Sequence, residues 1–258
     1  MNTKTYVAPF ASGFTDLHCH ILPGVDDGAS SEEKSREMLR VAAASGISHL
    51  AATSHYSRGL EEQYFAAFQR ISALEEAKKL TLLKGCEYDY VFLSELSPER
   101  LITLGDSKYF LVDMNQHFIP PSMINVFFKF KLAGYRVLFA HPERMLEGRE
   151  FDKLLKILNE NQIAIQINSG SIIGRYGKIA QRNAFKILDL GLAKVIANDA
   201  HRESHFRFDE CRKIVSKRYG DDIFTLLTVE NPALILQNSA PLAMPLPERK
   251  SWWRSIFR

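Results

Sequence analysis

The sequence predicts an α/β fold in which parallel strands and helices alternate in a single domain, as an open sheet or as a closed TIM-like barrel. Seven short apolar runs, rich in β-branched and aromatic residues, alternate with helical stretches, a pattern typical of a parallel sheet. The length of 258 residues suits one barrel of seven or eight units. Six of the seven runs are followed closely by His, Asp or Glu. Because a parallel barrel opens its strand ends onto one face, we expect a single domain with its functional site there.

The first half of the chain supplies four predicted strands, at residues 14–17, 47–53, 80–83 and 109–112. Ser30 and Glu33 form a predicted capping box that begins the first helix, and Gly46 ends it. A second helix is predicted over residues 60–79, because apolar side chains recur there at helical spacing. A less regular region follows the third strand, up to residue 106.

The second half supplies three more predicted strands, at residues 137–140, 163–167 and 193–197. Helices are predicted at residues 121–133, 152–159 and 178–190, and further helices run to about residue 238. We predict that residues 1–240 form the barrel domain. Residues 241–258 are predicted to form a separate tail that is first Pro-rich and then basic and aromatic.

The charge balance and the cysteines narrow the classes of function. Lys and Arg total 33 against 30 Asp and Glu, and this net charge of +3 is too small to predict nucleic-acid binding. Cys19, Cys86 and Cys211 are widely spaced and odd in number, which is typical of reduced thiols in a cytosolic protein. No apolar run has the length of a signal-peptide core or a membrane span. We therefore expect a cytoplasmic protein. We expect no cysteine nucleophile, because the one thiol at a strand end, Cys86, should face away from Glu87.

The stretch Asp16–Gly28 carries the strongest metal-binding signal. His18 and His20 are two residues apart, so on a strand both imidazoles lie on one face, with Leu17 and Cys19 on the other. Two neutral imidazoles on one face can hold a divalent metal, and the Asp-Asp-Gly turn that follows can return a carboxylate to it. The alternative interpretation is a pair of hydrogen-bonded polar residues at a strand end.

Nine His, Asp and Glu side chains follow predicted strand ends and should converge at one mouth of the barrel. They are His18, His20, Asp27, His55, Glu87, Asp113, His141, Asp199 and His201. Nine ligands are too many for one ion, and their mixture of imidazole and carboxylate suits Mn, Fe, Zn or Co rather than Ca or Mg. We therefore predict two or three metal ions and a bridging water that loses a proton and attacks an electrophile.

Two arginines near these strand ends are candidate phosphate ligands. Arg144 lies on the loop after the fifth strand, where its guanidinium can hold two phosphate oxygens; the alternative is a surface ion pair with Glu143 or Glu147. Arg207 lies beyond the last metal-binding loop and is a candidate second clamp. With Asp199, these two arginines form our candidate catalytic set. The remaining histidines are expected to be structural, solvated or supporting residues: His49, His117 and His205.

Several motifs, in this order, resemble the capsule-type bacterial tyrosine phosphatases of the polymerase and histidinol phosphatase (PHP) superfamily. They are Asp-Leu-His-Cys-His-Ile-Leu-Pro at 16–23, Asp-Asp-Gly at 26–28, Ala-His-Pro-Glu-Arg at 140–144, Asn-Ser-Gly-Ser at 168–171, Gly-Lys at 177–178 and Asp-Ala-His at 199–201. The likeness runs from about residue 14 to residue 238. It implies a distorted seven-stranded barrel, the PHP fold, with a three-metal site usually described with manganese.

The resemblance also implies how the ligands are shared and what the substrate is. His18, His20, Glu87 and Asp199 would hold one metal, with Glu87 bridging to a second held by Asp113 and His141; Asp27, His55 and His201 would hold a third. Arg144 would bind the substrate phosphate. The implied reaction is hydrolysis of phosphotyrosine on a membrane tyrosine autokinase that controls polysaccharide export, with the C-terminal tail of that kinase as the expected partner.

Two departures from the family pattern concern the metal loops. Asp113 stands where the family usually has Glu, so that metal should be held less firmly or after a backbone shift. The stretch Glu87-Tyr88-Asp89-Tyr90 is unusually aromatic and acidic, so Asp89 could compete as a supporting carboxylate. In the expected mechanism a bridging hydroxide attacks phosphorus in line, and a tyrosinate leaving group with a pKa of about 10 needs little help from an acid.

The sequence leaves the substrate and the role of the tail open. The same metals would serve a small-molecule phosphatase, such as one for histidinol phosphate, a phosphodiesterase or an amidohydrolase, and a non-catalytic binding module could retain the same barrel. Residues 249–258 interleave Arg and Lys with Trp and Phe, which suits contact with a membrane surface or a partner, or else a frayed or core-capping end. The oligomeric state is also open.

Overall fold

The computed structural model describes residues 13–114 and 118–245, which form eight parallel strands and the helices around them. The strands are β1 (Phe14–Cys19), β2 (Ile47–Ala52), β3 (Thr81–Lys84), β4 (Glu87–Asp89), β5 (Tyr109–Asp113), β6 (Arg136–Ala140), β7 (Ala164–Asn168) and β8 (Ala193–Ala197). The α-helices are α1 (Glu32–Ala44), α2 (Glu61–Ser72), α3 (Tyr90–Glu95), α4 (Met123–Leu132), α5 (Gly148–Glu160), α6 (Ser169–Ile172), α7 (Gly177–Asp189), α8 (Phe208–Tyr219), α9 (Asp221–Thr225) and α10 (Asn231–Leu236).

Shorter helical turns complete the described chain. Four are 3₁₀ turns, at Glu76–Lys79, Pro98–Arg100, Pro142–Arg144 and Glu203–His205, and one is a π-helical turn at Leu226–Glu230. None of the helices in the described ranges is both long enough and apolar enough to cross a bilayer.

The strands form two parallel sheets, which isolated bridges join into a barrel. The sheet orders are β1-β2-β3 and β4-β5-β6-β7-β8. His55, just after β2, bridges to Glu87 in β4, and Cys19 at the end of β1 bridges to Ala200 beyond β8. The predicted α/β barrel is confirmed, and these two irregular seams distort it.

The third predicted strand, at residues 80–83, is present as β3, but the strand β4 that follows it was not predicted, because the region up to residue 106 was expected to be less regular. The chain of β2 pairs with β3 as far as Ala52 and then, beyond Thr53, with β4. Gly85 lies between β3 and β4, and a Cβ there would stand 2.8 Å from Cγ2 of Thr53. Only a glycine allows the two segments to pass this closely, and the bend directs Glu87 into the mouth of the barrel.

Three local expectations are also corrected. The N-cap of α1 is Ser31, whose hydroxyl accepts a hydrogen bond from the backbone N–H of Lys34, so the predicted capping box at Ser30 and Glu33 is wrong. The helix predicted over 60–79 ends at Ser72 and resumes only as a 3₁₀ turn. The helix predicted to start at residue 152 begins four residues earlier, at the positive-φ Gly148.

The two core clusters separate the barrel interior from the layer beneath the helices. The smaller cluster collects buried side chains from strands of both sheets, including Leu17, Leu111, Leu138 and Val195, and Ile235 of α10 packs with them. The larger cluster lies between the strands and the helices and includes Cys19. Leu17 and Cys19 therefore do not share a face, contrary to prediction, because the pairing of β1 with β2 shifts register between Asp16 and Cys19.

The end of the described chain stays on the barrel. The backbone N–H of Leu242 donates to Oδ1 of Asn231 at 2.6 Å, and Met244 is buried. The predicted boundary at residue 240 thus falls within packed chain. The rest of the predicted tail, residues 246–258, lies outside the described residues.

Candidate metal centre

The carboxyl ends of the strands bring all nine predicted ligands together. They come from or directly after β1, β2, β5, β6 and β8, from the turn after β1, and from the first residue of β4. Two of them, His141 (φ 28°) and Asp199 (φ 51°), have positive φ angles. Such backbone strain in non-glycine residues is concentrated at functional sites, where the surrounding structure maintains it.

Four side chains form the centre of the cluster: His18, His20, Glu87 and Asp199. The Nε2 atoms of His18 and His20 lie 3.1 Å apart. Oε2 of Glu87 and Oδ1 of Asp199 lie 3.2 to 3.3 Å from both of these nitrogens. Ligands about 2.0 Å from one ion in a tetrahedron would lie roughly 3.3 Å from each other, so the spacing suits one ion.

Glu87 links this group to its neighbours because its two oxygens face different ligands. Oε1 lies 3.0 Å from Nε2 of His141, whose Nδ1 lies 3.6 Å from Oδ1 of Asp113. Oε2 lies 3.1 Å from Nδ1 of His55. Asp113, although one methylene shorter than the family's usual Glu, still belongs to a possible three-ligand group with Glu87 and His141.

The outermost group is built around Asp27. Its Oδ1 lies 3.4 Å from Nε2 of His201 and 3.7 Å from Nε2 of His55. With His20, these residues form a four-ligand group. Asp27 is 70% exposed and His55 45%, whereas Glu87 is buried, so the metal-binding set runs from the barrel interior to solvent.

The donor set fits divalent transition metals. Oδ1 of Asp199 is buried and has no hydrogen-bond donor among the described residues. A buried carboxylate oxygen without a donor costs free energy that a cation at this position would offset. Mixed imidazole and carboxylate ligands favour Mn, Fe, Zn or Co over Ca or Mg.

The electrostatics of the cluster favour the charged form of Glu87. Burial raises the pKa of Glu87, but the charge of His18 and hydrogen bonds from neighbouring histidines outweigh burial, and the pKa lies well below its usual value. Burial lowers the pKa of His141, but Asp113 and Glu87 raise it from 6.5 to about 9. Without a metal His141 therefore holds a proton near neutral pH, which a metal would displace.

Arg144 lies at the same mouth, and its contacts differ from those of the predicted alternative. Its Nη1 donates to Oδ2 of Asp199 at 2.7 Å, and its guanidinium lies 4.4 Å from the ring centroid of Tyr176. Glu143 is buried and accepts a hydrogen bond from the backbone N–H of Asn168, while Glu147 faces Arg182. A surface ion pair with either glutamate is therefore wrong.

Comparison with known proteins identifies the family. Residues 14–237 match the family model described as capsular polysaccharide synthesis, CpsB/CapC. The chain belongs to the CpsB/CapC family.

Curated members of this family are named as phosphatases. The chain is 34% identical over 241 residues to tyrosine-protein phosphatase YwqE of Bacillus subtilis (strain 168), covering 89% of this chain and 94% of YwqE. It is 28% identical over 238 residues to tyrosine-protein phosphatase CpsB of Streptococcus pneumoniae, covering 86% of this chain and 98% of that protein.

Solved structures agree with this membership. A chain from crystal structures of YwqE and S. pneumoniae CpsB, described as unique metal-dependent tyrosine phosphatases, has a TM-score of 0.77 and 31% identity; the match covers 92% of this chain and all (100%) of that chain. A phosphotriesterase homology protein of Escherichia coli, solved with phosphate in its active site, has a TM-score of 0.56 and 12% identity, covering 87% of this chain and 99% of that one. At that identity the second match shows the barrel fold alone.

Residues that orient the ligands were missed in the sequence. Oδ2 of Asp26 lies 2.7 Å from Nδ1 of His20, and Oε1 of Gln166 lies 3.0 Å from Nδ1 of His18. Nδ2 of Asn168 donates to Oδ2 of Asp199 at 2.8 Å. Such partners fix the tautomer and orientation of metal ligands. The available signal was a polar Gln within the apolar run of β7.

His205 and Cys86 lie beside the cluster, and each forms a hydrogen bond to a neighbouring residue. His205 is buried beside Arg175, whose Nη2 lies 2.6 Å from its Nε2; burial and Arg175 lower the pKa of His205 to about 4. Cys86 is buried, and its thiol donates to the carbonyl of Ser54. His49 lies 3.0 Å from the hydroxyl of Ser48, and His117 lies outside the described residues.

Arg207 does not join the described contacts of the cluster. Its Nε donates to the carbonyl of Ser204 at 3.0 Å, and its Nη1 pairs with Glu210. Its backbone N–H donates to Oδ1 of Asn198, the residue before Asp199. A role as a second phosphate clamp remains a prediction that would require its side chain to leave Glu210.

Proposed function

We propose that this protein is a metal-dependent protein tyrosine phosphatase whose substrate is a phosphorylated bacterial tyrosine autokinase controlling capsular polysaccharide synthesis. One observation carries the proposal: the nine-ligand cluster and Arg144 lie at the same mouth of the barrel, and Asp199 contacts both. Membership of a family whose curated members are named tyrosine phosphatases gives independent support.

The residues of the mouth have distinct tasks in this proposal. Bound ions, which we propose to be manganese, with Fe, Zn or Co as alternatives, would supply Lewis acidity and activate a water for attack on phosphorus. Arg144 would hold one or two non-bridging phosphate oxygens, since its side chain is 36% exposed and reaches the mouth. Asp199 keeps that guanidinium beside the metal ligands.

The tyrosinate leaving group reduces the need for a general acid in the protein. A tyrosinate has a pKa of about 10, so it can depart without a fully transferred proton. Asp27, His55 and His201 are the ligands most open to solvent and line the side from which a phosphoryl group would enter.

The space beside Arg144 favours a peptide over a small metabolite. A cleft of about 680 Å³ lies next to Arg144 and Tyr176, with Glu147 and Ile179 further along its wall. A phosphotyrosine held by Arg144 could therefore extend neighbouring peptide residues into this cleft. The C-terminal tail of a kinase is a segment of suitable chemistry. We also propose a cytoplasmic location, where the free and buried Cys19, Cys86 and Cys211 would stay reduced.

One experiment tests the reaction, the substrate class and the cofactor together. Purified protein is stripped with a chelator and assayed on a phosphotyrosine peptide and on histidinol phosphate, with Mn²⁺, Fe²⁺, Zn²⁺ or Co²⁺ added back. We expect activity to disappear on chelation, to return best with Mn²⁺, and to favour the peptide. Full activity after verified metal removal would contradict the mechanism, and a preference for histidinol phosphate would support the small-molecule alternative.

A further inference from the structure

A second functional surface lies at the opposite end of the barrel from the metal mouth. Tyr109 and Arg136 are the first residues of β5 and β6, whereas the ligands Asp113 and His141 lie at or just after the carboxyl ends of the same strands. A cleft of about 390 Å³ opens at these amino ends. Helix α4 ends beside it, so its last turn contributes to the same surface.

The surface, which we call the amino-end face, consists of Lys108, Phe128, Lys131, Leu132 and Arg136. Phe128 is 54% exposed and Leu132 73% exposed, and they lie one helical turn apart on α4. Single exposed apolar residues are normal, but these two lie one turn apart beside an aromatic-lined cleft, which makes them a candidate interaction site. No partner within the described chain covers them.

The face carries uncompensated positive charge. Lys108 lies over the ring of Tyr135, and Arg136 donates to the hydroxyl of Tyr109 and the carbonyl of Asn238. Among the described residues, no carboxylate forms an ion pair with Lys108, Lys131 or Arg136. Residues 114–142, which include Lys131 and Arg136, contain no Asp or Glu.

We propose that the amino-end face binds an anionic lipid surface. Exposed Phe and Leu side chains can enter the boundary between the lipid head groups and the acyl chains, while the charged ends of Lys and Arg contact lipid phosphates. Amphipathic helices at membrane interfaces bind in this way. A second copy of this chain fits the face poorly, because two such faces would bring like charges together without acidic partners.

The end of the described chain supports the same occupant. Tyr109 donates from its hydroxyl to the carbonyl of Ser239, and Leu242 is 48% exposed, so residues 239–242 pass along this end of the barrel. The following residues, 249–258, read Arg-Lys-Ser-Trp-Trp-Arg-Ser-Ile-Phe-Arg. Two weak membrane-binding signals in one chain give firmer attachment than either alone. Attachment here would turn the metal mouth away from the lipid.

The test is sedimentation of the full chain with phosphatidylcholine vesicles, with and without phosphatidylglycerol. We expect binding only when phosphatidylglycerol is present. The double variant Lys108→Gln/Lys131→Gln should bind roughly 25-fold more weakly, at about fivefold for each cation. Phe128→Ser/Leu132→Ser should weaken binding at least about tenfold, because each removes a side chain from the acyl boundary.

Matched variants on other helices control for general effects of exposed residues. Phe65→Ser removes a 42% exposed aromatic from α2, and Lys153→Gln removes a 62% exposed cation from α5; both should bind as the parent does. A chain that ends at Pro245 lacks the tail and therefore tests the amino-end face alone. It should bind more weakly than the full chain, and introducing either double variant into it should reduce the binding further. Three results would each overturn the proposal: no preference for phosphatidylglycerol, parental binding by both double variants, or complete loss of binding in the shortened chain. Thermal unfolding of every variant checks that it is folded.

Discussion

The guanidinium of Arg144 and the carboxylate of Asp199 are joined by a hydrogen bond of 2.7 Å from Nη1 to Oδ2. The other oxygen of Asp199 faces His18 and His20 at 3.3 Å and has no hydrogen-bond donor in the described chain. One carboxylate therefore connects a cation that can bind phosphate with the ligands that can bind metal. Arg144 and the imidazoles of His18 and His20 therefore contact different oxygens of Asp199. A substitution of Arg144 should affect phosphate binding and leave metal binding intact.

Arg144→Ala should reduce kcat/KM on a phosphotyrosine peptide by about 10²- to 10³-fold, the usual loss when one charge-stabilising donor is removed. The metal content should stay unchanged, because Arg144 contacts Asp199 Oδ2 rather than the oxygen in the metal-ligand group. Steady-state kinetics and metal analysis on the same preparation measure both quantities. Arg182→Ala is the control, since Arg182 is 66% exposed and faces Glu147. Loss of metal in Arg144→Ala would assign this arginine a structural role.

Tyr176 should determine how well Arg144 binds phosphate. Its ring lies 4.4 Å from the guanidinium, and a Cβ on Gly170 would stand 2.6 Å from this ring, so the glycine leaves it room. A cation–π contact of this kind contributes roughly 1 kcal/mol, so Tyr176→Leu should raise KM and the inhibition constant for inorganic phosphate about fivefold. Tyr176→Phe keeps the ring and should behave as the parent does. Equal effects of the two variants would exclude the ring contact as the cause.

The barrel and the ligand positions could be predicted because their signals are local. Apolar runs define strands, and parallel strands in a barrel share one functional end, so a His or Asp that follows a strand points to the site without any knowledge of distant contacts. His18, His141 and Asp199 are far apart in sequence yet were assigned to one mouth on this basis. The division of the ligands among three metals that the family resemblance implies remains a prediction.

What could not be predicted depends on contacts between distant segments. The additional strand β4 follows from the close passage of Gly85 against Thr53, which no local pattern reveals. The register shift in β1 similarly sends Leu17 and Cys19 to different clusters, although simple alternation puts them on one face. The contact between Gln166 and His18 joins residues 148 positions apart, so only the unusual polarity of the strand hinted at it.

Removal of the residues that orient the imidazoles should weaken metal binding without removing a ligand. Asp26→Ala frees Nδ1 of His20, and Gln166→Leu frees Nδ1 of His18. Partners of this kind typically change metal affinity about 10- to 100-fold, and we expect that range for each variant. Competition with a chelating dye measures the affinity. Gln63→Leu, which removes a contact to the carbonyl of Gly24 on the surface, is the control and should bind metal as the parent does.

Metal binding and the stability of the metal-free protein should respond to pH in opposite directions. His141 has its pKa raised from 6.5 to about 9: burial lowers it, but Asp113 and Glu87 outweigh burial. Because the folded pKa is above the unfolded one, the protonated form adds stability below pH 6.5 that is lost as the pH rises towards 9, an effect of about 3 kcal/mol. The metal requires neutral His141, so its affinity should rise about tenfold per pH unit for each proton displaced over this range.

Calorimetry and thermal unfolding measure these two effects. Titration with Mn²⁺ in two buffers of different ionisation enthalpy gives the number of protons released, which should be at least one at pH 7. The Tm of chelated protein should fall between pH 6.5 and pH 9, while the increase in Tm on adding Mn²⁺ should grow. Absence of proton release would contradict the protonated state inferred for the metal-free cluster.

Gly28 should be essential to the metal-binding turn because it packs against the backbone of a ligand. A Cβ at this position would stand 2.1 Å from the carbonyl oxygen of His20, and that oxygen accepts a hydrogen bond from the backbone N–H of Ala29. Neither group can move without opening the turn that carries Asp27. Gly28→Ala should therefore lower the free energy of unfolding by about 1–3 kcal/mol and reduce occupancy of the outermost metal group.

Gly24→Ala is the matched control: its φ is +68° but its Cβ would meet nothing within 4 Å, so it should cost only about 1 kcal/mol and keep its metals. Urea unfolding and metal analysis measure both variants, and full metal content in Gly28→Ala would contradict the close packing described.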